Sequence, residues 1–233
     1  MRIVAFLKRF FLSEEQTTES QMKKYLIAGL GNVGSKYDNT RHNIGFEVLD
    51  ALALDREAIF ETSRLGDIAK FRYKGRVFVL LKPSTYMNLS GKAVRYWQTK
   101  EKIPAANLLV VCDDISLPIG AIRLKPKGGA GGHNGLQNIQ DLLGTSIYSR
   151  LRFGIGNDFS RGRQSDYVLG EWKDTEREIL PSRIDKMGKA ILSFGTVGLN
   201  NTMNVYNGNP SADLQQIDAK KSQEKEDKPD KPD

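Results

Sequence analysis

Apolar residues are arranged along the chain in two alternating patterns. Short apolar runs of four to six residues, typical of strands that are covered on both faces, lie at 25–28, 77–82, 108–111 and 151–155. Helical spacing of apolar residues is found at 44–54, 91–99, 136–143 and 175–199. This alternation predicts an α/β fold, a single domain with a mixed, mostly parallel sheet flanked by helices.

The two ends of the chain depart from this pattern. Residues 1–22 begin with a short apolar stretch that Lys8 and Arg9 interrupt, so the uninterrupted apolar region of a secretory signal is missing. After Ile217 almost every residue is polar or charged, and such a segment cannot bury enough apolar surface to fold. We therefore expect a flexible extension at 1–22, one folded domain at 23–207 and a disordered charged tail at 208–233.

Composition narrows the class of protein. The chain has 233 residues, of which 39% are hydrophobic and 27% charged, and this excludes a fibrous or wholly disordered protein. A single cysteine excludes an internal disulfide, and with only two histidines the chain is a poor candidate for a His/Cys metal site. The formal net charge of +7 favours a polyanionic partner. Seven Lys or Arg stand against two Asp between residues 119 and 163, which marks the segment to test first.

A glycine motif after the first run suggests a dinucleotide site, but its context argues against one. Residues 29–34 read GLGNVG, a G-x-G-x-x-G pattern, and Asp50 follows about twenty residues later. In that fingerprint a helix begins at the third glycine and its N-terminus holds the pyrophosphate. Here the polar or aromatic residues 35–43 intervene, so we predict a loop followed by a helix from about Ile44. A nucleotide-dependent oxidoreductase remains an alternative hypothesis.

Polar residues follow the ends of several apolar runs. The loop after the first run carries Asn32, Tyr37, Arg41, His42 and Asn43, and base rates alone favour a capping or solvent-facing histidine there. Three further segments place amides or carboxylates just past an apolar run or before a helix, at 83–91, 112–114 and 128–135. Open α/β sheets place their sites at the carboxyl ends of strands. We therefore expect these segments to converge on His42.

The sequence blocks in this region resemble the bacterial-type peptidyl-tRNA hydrolase family. The blocks are GLGNVGSKYDNTRHNIG, KPSTYMNLSGKAV, DDISLPIG, KGGAGGHNGL, RLRFGIG and YVLGEW, in the family's order and spacing over about residues 24 to 206. The resemblance implies a monomeric α/β esterase that cleaves the bond between a nascent, N-blocked peptide and tRNA and so recycles tRNA. It implies no cofactor and no metal. Nothing is carried over to the two ends of the chain.

Site residues are implied by position within these blocks. His42 matches the catalytic histidine, and its ordinary pKa of roughly 6.5 suits a general base. Asp113 matches its carboxylate partner, and Asn32 helps to distinguish peptidyl from free aminoacyl esters. Since no nucleophile elbow G-x-S-x-G occurs, direct attack by water is favoured over an acyl-enzyme. Further positions that match substrate-binding or tRNA-binding residues are Tyr37, Tyr86, Asn88 and Asn134.

Three positions differ from the family's common pattern. Tyr86 stands where Phe is frequent, which keeps the aromatic ring. Ser116 stands where a second acidic residue is frequent, and Ala130 stands where a histidine is frequent, so we assign no catalytic role to either.

The basic cluster predicts how RNA would be held. We expect phosphate contacts from Arg123, Lys125, Lys127, Arg150 and Arg152, with an affinity that weakens as salt is added. A non-catalytic RNA-binding module that uses the same residues is the main alternative to an enzyme. Cysteine usage and the missing export signal are compatible with a cytoplasmic protein that has no stable membrane association.

Overall fold

The computed structural model describes residues 22–208. The predicted N-terminal extension and charged tail lie outside the described residues, apart from Met22 and Gly208, and stay predictions.

A seven-stranded sheet forms the centre of the molecule, in the order β2-β3-β4-β1-β5-β7-β6. The central strands β4, β1, β5 and β7 are parallel, whereas β3 and β6 run against their neighbours. Because β2 is antiparallel to β3, five of the seven strands run in one direction. The predicted mixed, mostly parallel sheet is confirmed. The strands are β1 Lys23–Gly29, β2 Glu61–Ser63, β3 Gly66–Tyr73, β4 Arg76–Pro83, β5 Leu108–Asp114, β6 Ile122–Lys125 and β7 Ser149–Gly154.

Helices cover both faces of this sheet and bury two apolar clusters. One cluster lies against α1 and α6 and includes Phe78 and Ile191; the other lies against α2 and α3 and includes Trp97 and Ile139. Strands β1 and β4 contribute side chains to both clusters, which explains their continuous apolar sequence. The α-helices are α1 Ile44–Asp55, α2 Ser90–Lys100, α3 Asn134–Leu143, α4 Gln164–Val168, α5 Asp174–Arg177, α6 Leu180–Val197 and α7 Leu199–Tyr206.

The structure differs from the predicted elements in three strands, in the helix α4, which was not predicted, and in the helical region 175–206. Strands β2, β3 and β6 were not predicted. The single helix predicted over 175–199 is divided into α5, α6 and the start of α7. Pro181 lies in the first turn of α6, where a missing N–H costs nothing, and Gly198 has a φ of 85° between α6 and α7. Both residues favour a break over one continuous helix.

The parallel strands bring their carboxyl ends to one edge of the sheet. At that edge β1 leads into the loop with two short 3₁₀ turns, Ser35–Tyr37 and Arg41–Asn43, and α1 then begins at Ile44. The expected late start of the helix is confirmed: only a three-residue 3₁₀ turn follows Gly34, where a dinucleotide site would require the N-terminus of an α-helix. No helix within residues 22–208 is both long and apolar enough to cross a membrane.

Candidate active site

A cleft of about 690 Å³ opens at the carboxyl edge of the sheet. Its floor comes from the ends of β1 and β5, one wall from the segment after β4, and the other from the glycine-rich loop that precedes α3. Helix α4 contributes part of the rim. The predicted residues that line the cleft are Asn32, Tyr37, His42, Tyr86, Asn88, Asp113, Lys125, Lys127, Asn134, Arg150 and Arg152. The convergence expected from sequence is therefore present.

His42 and Asp113 form a buried hydrogen-bonded pair at the bottom of the cleft. His42 Nδ1 lies 2.8 Å from Asp113 Oδ1. Since an ionised carboxylate only accepts, Nδ1 must donate, and the neutral imidazole then carries its lone pair on Nε2. His42 lies in the 3₁₀ turn just before α1, and Asp113 is the penultimate residue of β5. The pair thus holds the tautomer that a general base needs.

His133 is a second imidazole on the same carboxylate oxygen. Its Nε2 lies 3.1 Å from Asp113 Oδ1, and its Nδ1 accepts from the backbone N–H groups of Gly135 and Leu136 at 3.1 and 3.3 Å. These two acceptor bonds require an unprotonated Nδ1, so Nε2 carries the hydrogen that is donated to Asp113. His133 is the N-cap residue of α3 and fixes the helix to the carboxylate.

The electrostatics of this network favour an ionised carboxylate beside a basic imidazole. Burial by itself raises the pKa of Asp113. His42 and His133 together lower it by more than burial raises it, so that pKa lies well below its usual range. Burial lowers the pKa of His42, while the charge and hydrogen bond of Asp113 raise it, and the net shift is upward from 6.5. His42 is therefore a stronger base than a free histidine.

Asn32 is held in one orientation by its neighbours. Its Oδ1 accepts from the Met87 N–H at 2.8 Å, which leaves Nδ2 as the group available to a ligand. Asn43 bonds both backbone groups of Asn32, accepting from its N–H at 2.8 Å and donating to its carbonyl at 3.0 Å. Both side chains are buried. The amide donor of Asn32 thus enters the cleft from a fixed frame.

The remaining predicted binding residues lie on the walls. Asn88 and Asn134 are exposed, and no hydrogen bond of their side chains occurs within residues 22–208, so both amides are open to a ligand. Tyr86 is 57% exposed, and its ring faces solvent at the rim. Tyr37 is half-buried, with the Lys36 ammonium 4.8 Å from its ring centre.

The predicted basic residues have unequal surroundings. Lys125 and Lys127 line the cleft, and neither is in an ion pair within the described part of the chain. The Arg152 guanidinium pairs with Asp114, and Arg123 donates to the Asn207 carbonyl at 3.2 Å. Arg150 is buried, donates to the Gly129 carbonyl at 2.6 Å, and stacks on a tyrosine ring. Arg150 thus fixes the glycine-rich loop, and its contact with a phosphate stays a prediction.

Arg41 attaches the loop of His42 to the opposite rim. Its buried guanidinium bonds Glu176 at 2.7 Å and the carbonyls of Tyr167 and Gly170 at 3.3 Å each. It also lies over the Tyr167 ring at 4.5 Å. This contact holds α4, which lines the cleft, against the turn that carries the candidate base.

His42, Asp113 and His133 also lie close enough together to be considered as metal ligands, since one potential ligand atom of each lies within 4.8 Å of the others. The sequence had suggested a poor candidate for a His/Cys site. In this arrangement Asp113 Oδ1 already accepts from both imidazoles, and the Nδ1 of His133 caps a helix. The hydrogen bonds account for all three side chains.

Two residues of the site were not assigned from sequence. His133 carries a signal, because a histidine directly before a helical pattern can cap it. Asn43 carries no separate signal, since its partners are backbone groups that a sequence does not place.

Comparison with known proteins agrees with this geometry. The sequence profile of the family described as peptidyl-tRNA hydrolase matches residues 26–215. The chain belongs to the peptidyl-tRNA hydrolase family. The family protein of Phocaeicola vulgatus is 56% identical over 184 residues, which are 79% of this chain and 98% of that relative. The Bacteroides fragilis relative is 53% identical over the same shares.

A solved structure of the family has the same fold. The peptidyl-tRNA hydrolase of Acinetobacter baumannii is 34% identical and superposes with a TM-score of 0.76, covering 80% of this chain and 96% of that one. The family resemblance drawn from the sequence blocks is confirmed.

Proposed function

We propose that the protein hydrolyses the ester bond between an N-blocked peptide and tRNA, by direct attack of water that His42 activates. The observation that carries this proposal is the His42 and Asp113 pair at the bottom of a cleft whose walls carry open amides. Family membership supports the same substrate.

The reaction follows from the protonation states in the cleft. His42 Nε2 takes a proton from water as the water oxygen attacks the ester carbonyl, and Asp113 stabilises the resulting imidazolium. The imidazolium then returns the proton to the departing ribose oxygen, so the products are a peptide carboxylic acid and tRNA with a free hydroxyl. No group of the protein needs to form a covalent bond, since water supplies the acyl acceptor.

Neutral amides suit the stabilisation of the transition state and the positioning of the substrate. Negative charge develops on the carbonyl oxygen during attack, and hydrogen-bond donors placed near that oxygen lower the barrier. We assign substrate positioning to three neutral amides: Asn32 Nδ2 can donate to a carbonyl, and the open amides of Asn88 and Asn134 can donate to a carbonyl or accept from a peptide N–H without changing charge. Asn32 would favour the blocked, uncharged α-nitrogen of a peptidyl ester over the cation of a free aminoacyl ester.

RNA would be held at the mouth of the cleft. Tyr37 and Tyr86 offer rings on which terminal bases can stack without regard to sequence. Lys125 and Lys127, which are in no ion pair within residues 22–208, offer charge to phosphates, and Arg123 and Arg152 lie next to each other on the adjacent strands β6 and β7. We further propose that the protein acts as a monomer in the cytoplasm, without a cofactor and without a stable membrane association, where translation produces its substrate.

The test compares N-acetylated aminoacyl-tRNA with the unblocked ester, in the presence of a chelator, for wild type and His42→Ala. We expect cleavage of the blocked ester only, resistance to the chelator, and loss of cleavage in the variant with tRNA binding retained. Cleavage that survives in His42→Ala would refute the assigned base. Binding of tRNA without any cleavage by wild type would instead indicate an RNA-binding module.

A further inference from the structure

A second concave surface lies outside the cleft, on the face of the sheet that α2 and α3 cover. It is a groove of about 550 Å³ between α2, the turn that joins β2 to β3, and the end of α3. We call it the α2 groove. It is lined by Arg64, Leu65, Lys92, Arg95, Tyr96, Thr99, Lys100 and Leu142.

The α2 groove combines an apolar floor with four cations. Lys92, Arg95 and Lys100 lie on one side of α2, because Arg95 follows Lys92 by three residues and Lys100 follows Lys92 by eight, which are about one and two turns of a helix. Arg64 reaches the same face from the turn and lies over the Tyr96 ring at 5.0 Å. A guanidinium is planar, and its fork of N–H donors matches the geometry of a phosphate group.

The positive charge of the α2 groove is not neutralised by the protein. No carboxylate is among its lining residues, and none of its four cations is in an ion pair within residues 22–208. The adjacent Glu101 is already bonded by Lys24 at 2.9 Å and Lys70 at 2.7 Å. Asp141 of α3 accepts from Gln137 and does not line the groove. A polyanion is therefore the complementary partner.

The α2 groove continues from the wall of the candidate active site. Asn88 lines the cleft, and Lys92 stands one helical turn further along the chain. The turn with Arg64 and Leu65 is attached at the same place, because Ser84 donates to the Leu65 carbonyl at 3.0 Å just after β4. From Lys92 to Lys100 the groove extends about 12 Å away from the cleft, at the rise of an α-helix.

We propose that the α2 groove binds backbone phosphates of the RNA whose 3′ end occupies the cleft. This inference rests on the proposed function. A cleft of about 690 Å³ has room for the terminal residues of an RNA only, so the duplex behind them must lie against the surface outside it. A-form RNA presents rows of phosphates and 2′-hydroxyls to a protein, which a line of cations beside the cleft can contact without reading sequence.

The test removes charge from the α2 groove and varies the length of the RNA. The variant Arg95→Gln/Lys100→Gln is compared with Lys23→Gln/Lys74→Gln, which loses the same charge at exposed positions over Tyr25 and Tyr73, on the other face of the sheet. Each full-length protein is given N-acetylated aminoacyl-tRNA and a short N-acetylated aminoacyl CCA fragment, which is too short to reach the groove. KM and kcat are measured over a series of salt concentrations.

For the groove variant we expect a KM for tRNA raised several-fold, an unchanged kcat, and a salt-dependence slope lowered by about 2. Hydrolysis of the fragment should be unchanged, and the control variant should match wild type on both substrates. The charge-preserving variant Arg95→Lys/Lys100→Arg should restore the wild-type KM, because the interaction needs charge and not a particular side chain.

Other results would overturn the inference in distinguishable ways. An unchanged KM for tRNA in the groove variant would exclude RNA and leave an acidic protein surface as the partner to seek. Equal losses in the groove and control variants would mean that only net charge matters. If wild type cleaves neither substrate, the proposed function is wrong, and the inference about the α2 groove, which rests on it, is overturned with it.

Discussion

At the scale of single residues, the two histidines that bond one carboxylate oxygen have different chemical roles. Asp113 Oδ1 accepts from both rings, but the second nitrogen of His133 is occupied by the start of α3, whereas the second nitrogen of His42 is turned to the cleft. Only His42 can exchange a proton with a substrate. His133 serves as a second donor that keeps Asp113 ionised.

The pH dependence of activity follows from this arrangement. Because the pKa of His42 is raised above 6.5, kcat/KM should rise with pH through a pKa higher than that of a free histidine. Asp113→Asn removes the negative charge that raises the pKa of His42, while burial still lowers that pKa. The apparent pKa should therefore fall below 6.5. The maximal rate should also fall, by about 10⁴ if the tautomer is lost.

A pH-rate profile of wild type and Asp113→Asn checks both shifts. An apparent pKa that moved upward in the variant would contradict the assignment of His42 as the base.

Asn43 provides a test of positioning as distinct from stability. In Asn43→Ala the backbone of Asn32 loses two hydrogen bonds, and we expect kcat/KM to fall by about 10-fold or more because a small displacement of a positioning group is costly. Asn107→Ala is the matched control, since that buried amide also bonds a backbone carbonyl, far from the cleft. Both variants should lose about 1–3 kcal/mol of unfolding free energy.

Steady-state kinetics and denaturant unfolding on the two variants separate these effects. Equal loss of activity in both would show that Asn43 acts through stability alone.

At the scale of elements, close backbone contact fixes the cleft floor. Gly45, the second residue of α1, packs so tightly on the end of β1 that a Cβ there would lie 2.4 Å from the Leu30 N and O atoms. Gly188 within α6 is the opposite case, because its nearest neighbour would be a flexible Leu52 methyl at 3.8 Å.

We therefore expect opposite effects from two glycine substitutions. Gly45→Ala should destabilise the protein by about 1–3 kcal/mol or more, since α1 must move away from β1. Gly188→Ala should stabilise it by about 0.5–1 kcal/mol, because alanine reduces the freedom of the unfolded chain and fits the helix. Thermal unfolding of the two variants measures both changes in stability. A Gly45→Ala protein as stable as wild type would contradict the packing described for α1.

The sequence predicted the buried parallel strands better than the antiparallel ones. Strands β1, β4 and β5 read as apolar runs because they contribute side chains to the apolar clusters on both faces, whereas β7 contributes to one cluster only. Strand β3 alternates between buried and exposed residues and leads into a two-residue turn, in which Lys74 and Gly75 have φ of 46° and 69°. That turn is of the kind that joins hairpin strands, but a Lys-Gly pair is a weak signal for it. Strand β6 has only four residues.

The candidate site was largely predictable because its residues follow strand ends. His42, Asp113 and the three asparagines could be named from blocks of sequence, and the structure places all five on one cleft. The second imidazole on Asp113 could not be named, since it depends on how α3 docks against β5. The burial of Arg150 was equally out of reach, because a sequence does not show which arginine of a basic cluster turns inward.

At the scale of the whole molecule, activity and stability should respond to pH in opposite ways. The lowered pKa of Asp113 contributes stability that is present above the ordinary carboxyl pKa of about 4 and is lost as pH falls below it. The raised pKa of His42 contributes stability that is present below 6.5 and is lost as pH rises through the raised value. The network therefore stabilises the fold most between about pH 4 and 6.5, below the range in which the base is free to act.

Thermal midpoints of wild type and Asp113→Asn measured across pH test this expectation. The difference between the two should be greatest in that interval and should narrow on either side. A difference that did not vary with pH would contradict the ionised pair.

The order in which the chain is synthesised has a consequence for an enzyme of this specificity. His42 and Asp113 are 71 residues apart, so at 5–20 residues per second the carboxylate is made roughly 4 to 14 s after the imidazole. Throughout that interval the growing protein is itself a peptide esterified to tRNA, the class of molecule that we propose it cleaves. Because β5 must be added beside β1 before the pair can form, a copy whose β5 has not yet been made is unable to attack ester bonds on the ribosome that is producing it.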